Sequence, residues 1–320
     1  MTTRSFAGLG LLSVVASACP ATAQDVSMRL NRRRFDSAMR LVQADFPSAT
    51  TGGTQSGAPA TASPGEIAAG PRRRQISASV DTRLGFDRQE LALGNPAIPV
   101  LAKRRIASVN LSLAYPLSNQ TSLSVSVPYI NQRSTYSSPF GSVRLSGRGI
   151  GDVGIYLQHN FRDIAQGTGL SASLGLITPT GKSGFETGPN ELPTGVGFYQ
   201  PVARVTLTKL RVPLQFYAAA DYGTSFKRRV NGTTVSLPDS YGGELGFYYS
   251  MSPEFITRTS VSASKVTSPF VDVPGATVGY LSQSLTFQAN QRTALRASVD
   301  VGLTEDSTDA FVGLALDSNF

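Results

Sequence analysis

Residues 293–303 read TALRASVDVGL, with Leu295, Ala297, Val299, Val301 and Leu303 alternating against Arg296, Ser298, Asp300 and Gly302. Successive side chains of an extended chain point to opposite faces, so this stretch is a strand with one apolar and one polar face. Residues 76–86, ISASVDTRLGF, repeat the pattern, as do residues 121–129, TSLSVSVPY. Twelve such strands are expected, near 75–87, 104–116, 120–130, 149–161, 168–178, 198–209, 212–224, 240–251, 254–264, 277–290, 293–304 and 309–320. Their lengths fall between ten and fourteen residues. Soluble strands average roughly 5–6, whereas a bilayer crossing tilted by ~45° takes about 9–11.

The connections agree with a membrane barrel. Links of two to six residues join strands two to three, four to five, six to seven, eight to nine and ten to eleven. The alternate links are long at 88–103, 131–148, 179–197, 225–239 and 265–276, and short only at 305–308. Short turns on one side and long loops on the other are the signature of an outer-membrane barrel, and an even strand number leaves both termini on the periplasmic side. With strand one running outward, Tyr115, Phe161, Tyr249, Phe287 and Phe320 fall at one depth and Phe86, Tyr129 and Tyr222 at the other, as two aromatic girdles would. The expected class is all-β: a transmembrane antiparallel up-and-down β-barrel of about twelve strands, preceded by a short periplasmic helix and a flexible linker.

The first 74 residues divide into three parts. Residues 1–23 carry one early positive charge, an apolar run from Phe6 to Ala18 and small residues at Ala21 and Ala23. These are the marks of a secretory signal peptide cleaved before Gln24. A rival reading acylates Cys19, the single cysteine of the chain, although Ala16 stands where a lipobox usually has leucine. Residues 24–47 contain an amphipathic helix with Met28, Phe35, Met39, Val42 and Phe46 on one side and Pro47 as its stop. Residues 48–74 are a Ser/Thr/Gly/Ala/Pro-rich linker or plug, and residues 75–320 form the barrel.

Charge and chemistry narrow the function. The formal charge is +8, but nine of the 29 basic residues precede position 75 against four of the 21 acidic ones, which leaves 20 against 17 for the barrel. A nearly balanced exported domain does not read as a nucleic-acid binder. Gly181-Lys182-Ser183 imitates the end of a phosphate-binding loop, yet Leu176 occupies the position of its first glycine and no helix can follow. His159, the only histidine, lies in phase with Ile155, Leu157 and Phe161, and no serine is paired with it by motif, so an enzyme is not expected. Neither a metal nor a cofactor is expected either.

The polar strand faces carry Asp81, Arg83, Asp152, Arg204, Asp221, Glu244, Arg258, Arg296 and Asp300. These are the candidate lumen-lining residues, either filling the barrel as ion pairs or setting the selectivity of a path. Lys103, Arg104, Arg105, Arg144, Arg148, Lys182, Lys227, Arg228 and Arg229 are assigned to outer loops. Lipopolysaccharide phosphate is their simplest partner, beside membrane lipid. The last strand alternates Val312, Leu314, Leu316, Ser318 and Phe320 and ends on phenylalanine. It is similar to the terminal signal read by the outer-membrane assembly machinery.

Residues 147–161, GRGIGDVGIYLQHNF, with residues 170–188, LSASLGLITPTGKSGFETG, resemble the outer-membrane barrels named after phenol-degradation operons. The resemblance implies passage of hydrophobic or aromatic compounds. A related group resembles secretion channels for amyloid-forming proteins, which implies trimers with a periplasmic coiled coil and a plugging linker. The leading expectation is a passive channel for small solutes in the bacterial outer membrane. A secretion pore for an amyloid-like polypeptide and a structural or adhesive barrel are the alternatives.

Overall fold

A computed structural model describes residues 75–93, 98–165, 167–188, 190–230, 233–235, 238–267 and 275–320. The segments expected as signal peptide, helix and linker lie outside the described residues. Fifteen strands are present among the described ones. They are β1 (Ser77–Leu93), β2 (Ile98–Pro116), β3 (Thr121–Ser138), β4 (Gly141–Ile150), β5 (Val153–Ala165), β6 (Thr168–Thr178), β7 (Gln200–Arg211) and β8 (Leu214–Gly223). Then follow β9 (Arg228–Val230), β10 (Thr233–Val235), β11 (Ser240–Ser250), β12 (Phe255–Val266), β13 (Ala276–Gln288), β14 (Thr293–Gly302) and β15 (Ala310–Asn319).

Twelve of these form one closed antiparallel ring in the order β1, β2, β3, β5, β6, β7, β8, β11, β12, β13, β14, β15. The ring closes where β1 pairs with β15 from Ser77↔Asn319 to Phe86↔Ala310. Closure leaves no unpaired strand edge, which is what allows a sheet to stand in hydrocarbon. At the seam, the Phe320 N–H donates to the Ile76 carbonyl at 2.8 Å and the Ile76 N–H to Phe320 at 3.2 Å.

The period-two pattern decides which face looks outward. Leu113, Leu245 and Leu314 are each about 60% exposed or more, and Val80, Leu84, Leu111, Val205, Val261, Leu281 and Val299 are exposed with them. Their neighbours in sequence, Ser79, Asp81, Ser112, Ser124, Thr206, Glu244, Ser260, Ser262 and Asp300, are buried. Apolar outside and polar inside inverts a soluble protein and makes the barrel a transmembrane one. All eight girdle aromatics, Phe86, Tyr115, Tyr129, Phe161, Tyr222, Tyr249, Phe287 and Phe320, are exposed on the outer surface. His159 shares that side, bonded to Thr121 Oγ1 at 2.9 Å and edge-on to Phe161.

Two of the expected long loops are strand. β1 and β2 stay paired as far as Leu93↔Ile98, and β3 and β4 as far as Ser138↔Gly141. Beyond the last β1–β15 pair at Phe86 these strands stand above the rim as a four-stranded wall. Residues 131–148 are largely polar on both faces, and residues 88–103 hold their apolar side chains as a run broken by Pro96 and Pro99, so neither shows the apolar alternation that betrays a strand, although their hairpin pairing is complete. For the same reason the fourth expected strand, 149–161, is split. Gly151 and Asp152 break it, and the membrane strand β5 begins at Val153.

Candidate functional site

The interior charges gather on two arcs of the ring. On β7, β8, β11 and β12, Glu244 is the hub. It accepts Arg204 Nη2 at 2.7 Å and Tyr217 Oη at 2.6 Å, together with Arg258 Nη2. Arg258 Nε donates to Tyr217 Oη at 2.7 Å, and its guanidinium lies 5.3 Å from the Tyr217 ring centre and 5.9 Å from that of Tyr248. Arg204 Nη1 also faces Asp221 Oδ1 at 3.7 Å. Two arginines and two carboxylates make this arc neutral, and charge-assisted bonds in a low-dielectric setting make it stiff.

The second arc lies on β14, β15 and β1 and is looser. Arg83 reaches Asp81 at 3.3 Å and Asp300 at 3.5 Å, while Arg296 reaches Asp81 at 3.7 Å and Asp317 at 4.0 Å. Three carboxylates face two arginines. The net charge is therefore −1, and only the Arg83–Asp81 contact has hydrogen-bond geometry.

Between the arcs the wall is polar and uncharged. Asn110 bonds Ser112 at 3.0 Å and accepts Ser126 Oγ at 2.7 Å on one side, and Ser282, Ser284 and Thr286 continue the inward face of β13 on the other.

Eight of the nine expected lumen residues thus lie on the inward face, in ion pairs. Asp152 has a different setting. It sits at the upper rim between β4 and β5 and accepts the Gly181 N–H at 2.9 Å and the Val196 N–H at 2.6 Å. It fastens the long connection that runs from Thr178 to Gln200. Burial pushes the Asp152 carboxyl up to about 6, against the pull of the backbone N–H groups of Val196, Gly181 and Gly197.

Further ties hold the same connection. Thr180 Oγ1 donates to Gly151 O at 2.9 Å, Thr194 Oγ1 donates to Ile150 O at 3.0 Å, and Leu192 N donates to Ser146 O at 2.9 Å. Gln132, buried on the inner face of β3, donates to Pro193 O and accepts Arg104 Nη2 at 2.8 Å. From the other side Arg228 Nη1 donates to Gly197 O at 2.6 Å. Phe198 is fully buried and meets Phe185 edge-on at 5.8 Å.

The glycines here are required. A Cβ on Gly181 would stand 2.8 Å from the backbone of Gly195, one on Gly195 would stand 2.2 Å from Asp152 Oδ1, and Gly197 has φ +80°. The connection is therefore a built element at the barrel mouth, and Gly181-Lys182-Ser183 is its strand-to-loop junction. A second infolding comes from the β14–β15 turn. Ser307 Oγ donates to Gly279 O at 2.8 Å and Thr308 N to Tyr280 Oη at 3.2 Å, beside the inward-facing cluster of Ile106, Val278, Tyr280 and Phe311.

Sequence reasoning missed Asp317, Tyr217 and Tyr248. Each stands in the inward phase of its strand, so the alternation held the signal. An aspartate three residues from a terminal aromatic and two tyrosines read more readily as rim residues. The outer basic residues also divide. Arg104 turns inward, Lys182 pairs with Glu191, and Arg228 reaches Glu186 at 3.5 Å, while Lys103, Arg105, Arg144 and Arg148 stay exposed on the outer face of the wall.

A solved structure, the COG4313 outer membrane channel from Pseudomonas putida F1, superposes with a TM-score of 0.59. The chain folds like that channel. The match spans 78% of this chain and 97% of the channel at 13% identity. The NanC porin is similar at a TM-score of 0.43 and 9% identity over 75% of this chain and 98% of that one. The translocator domain of the autotransporter NalP from Neisseria meningitidis reaches 0.44 and 14% over 84% and 96%. No protein-family model matches the chain, and no curated protein matches it.

Proposed function

We propose that the protein is a passive channel for small solutes in the bacterial outer membrane. The observation that carries this reading is the ring's inversion, a closed transmembrane sheet whose interior is lined mainly with serine, threonine and ion pairs, its apolar packing confined to the cluster of Ile106, Val278, Tyr280 and Phe311 near the upper mouth. The likeness to the COG4313 channel supports it at the level of fold. The loose β14–β15–β1 arc is the face that meets the solute, because its carboxylates exceed its arginines and are held at 3.3 to 4.0 Å. The tight arc around Glu244 is the scaffold opposite. A net −1 lining favours small cations and zwitterions over anions.

The finer parts belong to the same proposal. Residues 1–23 direct export, and residues 24–74 occupy the periplasm and occlude the lower mouth. Phe320, which closes the β1–β15 seam, is the signal for the assembly machinery. The barrel works as a monomer or as a homo-trimer, a choice for cross-linking in membranes. Single-channel conductance of the full mature chain against one lacking residues 24–74 tests the core of the reading. Steady conductance by the truncated barrel with a mostly closed full chain supports a plugged channel. Silence from both would leave the interior to its own charges and make the barrel structural or adhesive.

A further inference from the structure

The wall above the rim has an inner face that continues the lumen and an outer face that continues the lipid-facing surface. On the outer face the register places Arg88 directly opposite Lys103, and Arg105 directly opposite Arg133. Lys103 then faces Thr135, which faces Arg144, and Asn131 faces Arg148. All six cations are exposed. None of them is paired with a carboxylate among the described residues. Glu90 is the only acid on this face of the wall, and Asp309 at its foot is engaged by the Arg88 backbone N–H at 2.9 Å. Directly opposed side chains of a sheet stand ~4.5–5.5 Å apart, and like charges there oppose pairing. Two such pairs side by side are unfavourable for the sheet by itself and favourable once an anion lies between them.

What surrounds the patch defines the anion. Phe86 is the cross-strand neighbour of Arg105, and Tyr129, two residues below Asn131 on β3, is the neighbour of Ile150. Phe86, level with Arg105, and Val109, Tyr129 and Ile150, directly beneath the cations, are exposed on the same face. A ligand that fits must place phosphate among the arginines and acyl chains against the aromatics below. We infer that the outer face of β1–β4 is a binding site for the phosphorylated glycolipid headgroup of the outer leaflet, with Arg105 and Arg133 at its centre. Bidentate guanidinium–phosphate contacts supply the affinity, and the apolar belt supplies the depth. The site does not depend on whether the lumen conducts.

The test uses the purified full chain in neutral detergent, with diphosphoryl lipid A as probe and native mass spectrometry as readout of bound lipid. The double variant Arg105→Gln/Arg133→Gln is expected to bind at least tenfold more weakly. A charge-matched control away from the wall, Lys265→Gln/Arg292→Gln, is expected to bind as the parent does. Dephosphorylated lipid A is expected to bind weakly to both, and millimolar inorganic phosphate is expected not to displace lipid A. Without lipid the double variant should unfold at the same or a higher temperature than the parent, because a repulsive pair has been removed. Undiminished binding by the double variant, equal loss in the control, displacement by free phosphate, or a lower unfolding temperature of the variant without lipid would each overturn the inference.

Discussion

The same residue types are arranged in opposite ways inside the barrel and on the wall above it. Inside, Arg83, Arg204, Arg258 and Arg296 meet Asp81, Asp221, Glu244, Asp300 and Asp317, so every guanidinium has a carboxylate within 4.0 Å. On the wall, Arg88, Lys103, Arg105, Arg133, Arg144 and Arg148 share a face with one acid, Glu90, and with no ion pair among the described residues. Charges that complete one another within the chain hold the sheet together. Charges left incomplete at the rim have their complement outside the chain. Desolvation gives the reason, since a lone buried charge is costly whereas an exposed one keeps its water until a partner arrives.

The largest effect on this contrast follows from breaking the hub. Glu244→Ala leaves Arg204, Arg258 and Tyr217 without their shared acceptor, and loss of one partner of a buried pair costs about 3–5 kcal/mol. Unfolding by urea in lipid vesicles should show a drop of that order, whereas an unchanged midpoint would mean that the arc is solvated and not structural.

Next in size is the rim clamp. Asp152→Ala leaves two short backbone donors unpaired, a loss of about 1.5–3 kcal/mol local to the 179–199 connection. Limited proteolysis should cut that connection in the variant and spare it in the parent. The clamp should also respond to pH. A carboxyl held near 6 in the closed connection, against about 4 when released, binds its proton more tightly when closed. That contribution is fully present below about pH 4 and is lost as pH rises through about 6. Current fluctuations in bilayers should therefore be fewer at pH 4.5 than at pH 7.5, and Asp152→Asn should abolish the difference.

A smaller effect distinguishes the two arcs within the lumen. Arg83→Gln takes the loose arc from net −1 to −2, and the reversal potential in a salt gradient should move toward cation selectivity. Movement toward anions, or none, would take the solute path away from β14, β15 and β1. The smallest effect lies on the wall, where Arg105→Gln in lipid-free detergent should raise stability by about 0.2–1 kcal/mol, the size of one unfavourable cross-strand pair.

Much of the fold is legible in the chain because a membrane barrel couples strand to sequence so directly. Hydrocarbon outside and polar contents inside force alternation at every crossing, and TALRASVDVGL carries that rule in eleven residues. The twelve crossings, the girdle aromatics and eight inward charges follow from period two. The same rule lapses above the bilayer, where the outer face meets water and the inner face buries polar side chains such as Arg104, Gln132 and Ser134. There Arg88 to Lys103 and Asn131 to Arg148 resemble loops, and only their pairing reveals β1–β4 as a wall. Asp152 is in phase with nothing that marks it as a clamp. Its partners Gly181 and Val196 lie 29 and 44 residues away, within a connection that has no periodicity to read.

Sequence by itself thus determined which residues face lipid and which face the lumen, because that choice is made one residue at a time by the solvent on each side. Tertiary structure alone decided which interior charges find each other, which basic residues turn inward and which stay bare. Those outcomes depend on the cross-strand register, which matches residues tens to hundreds of positions apart and is set only when the ring closes.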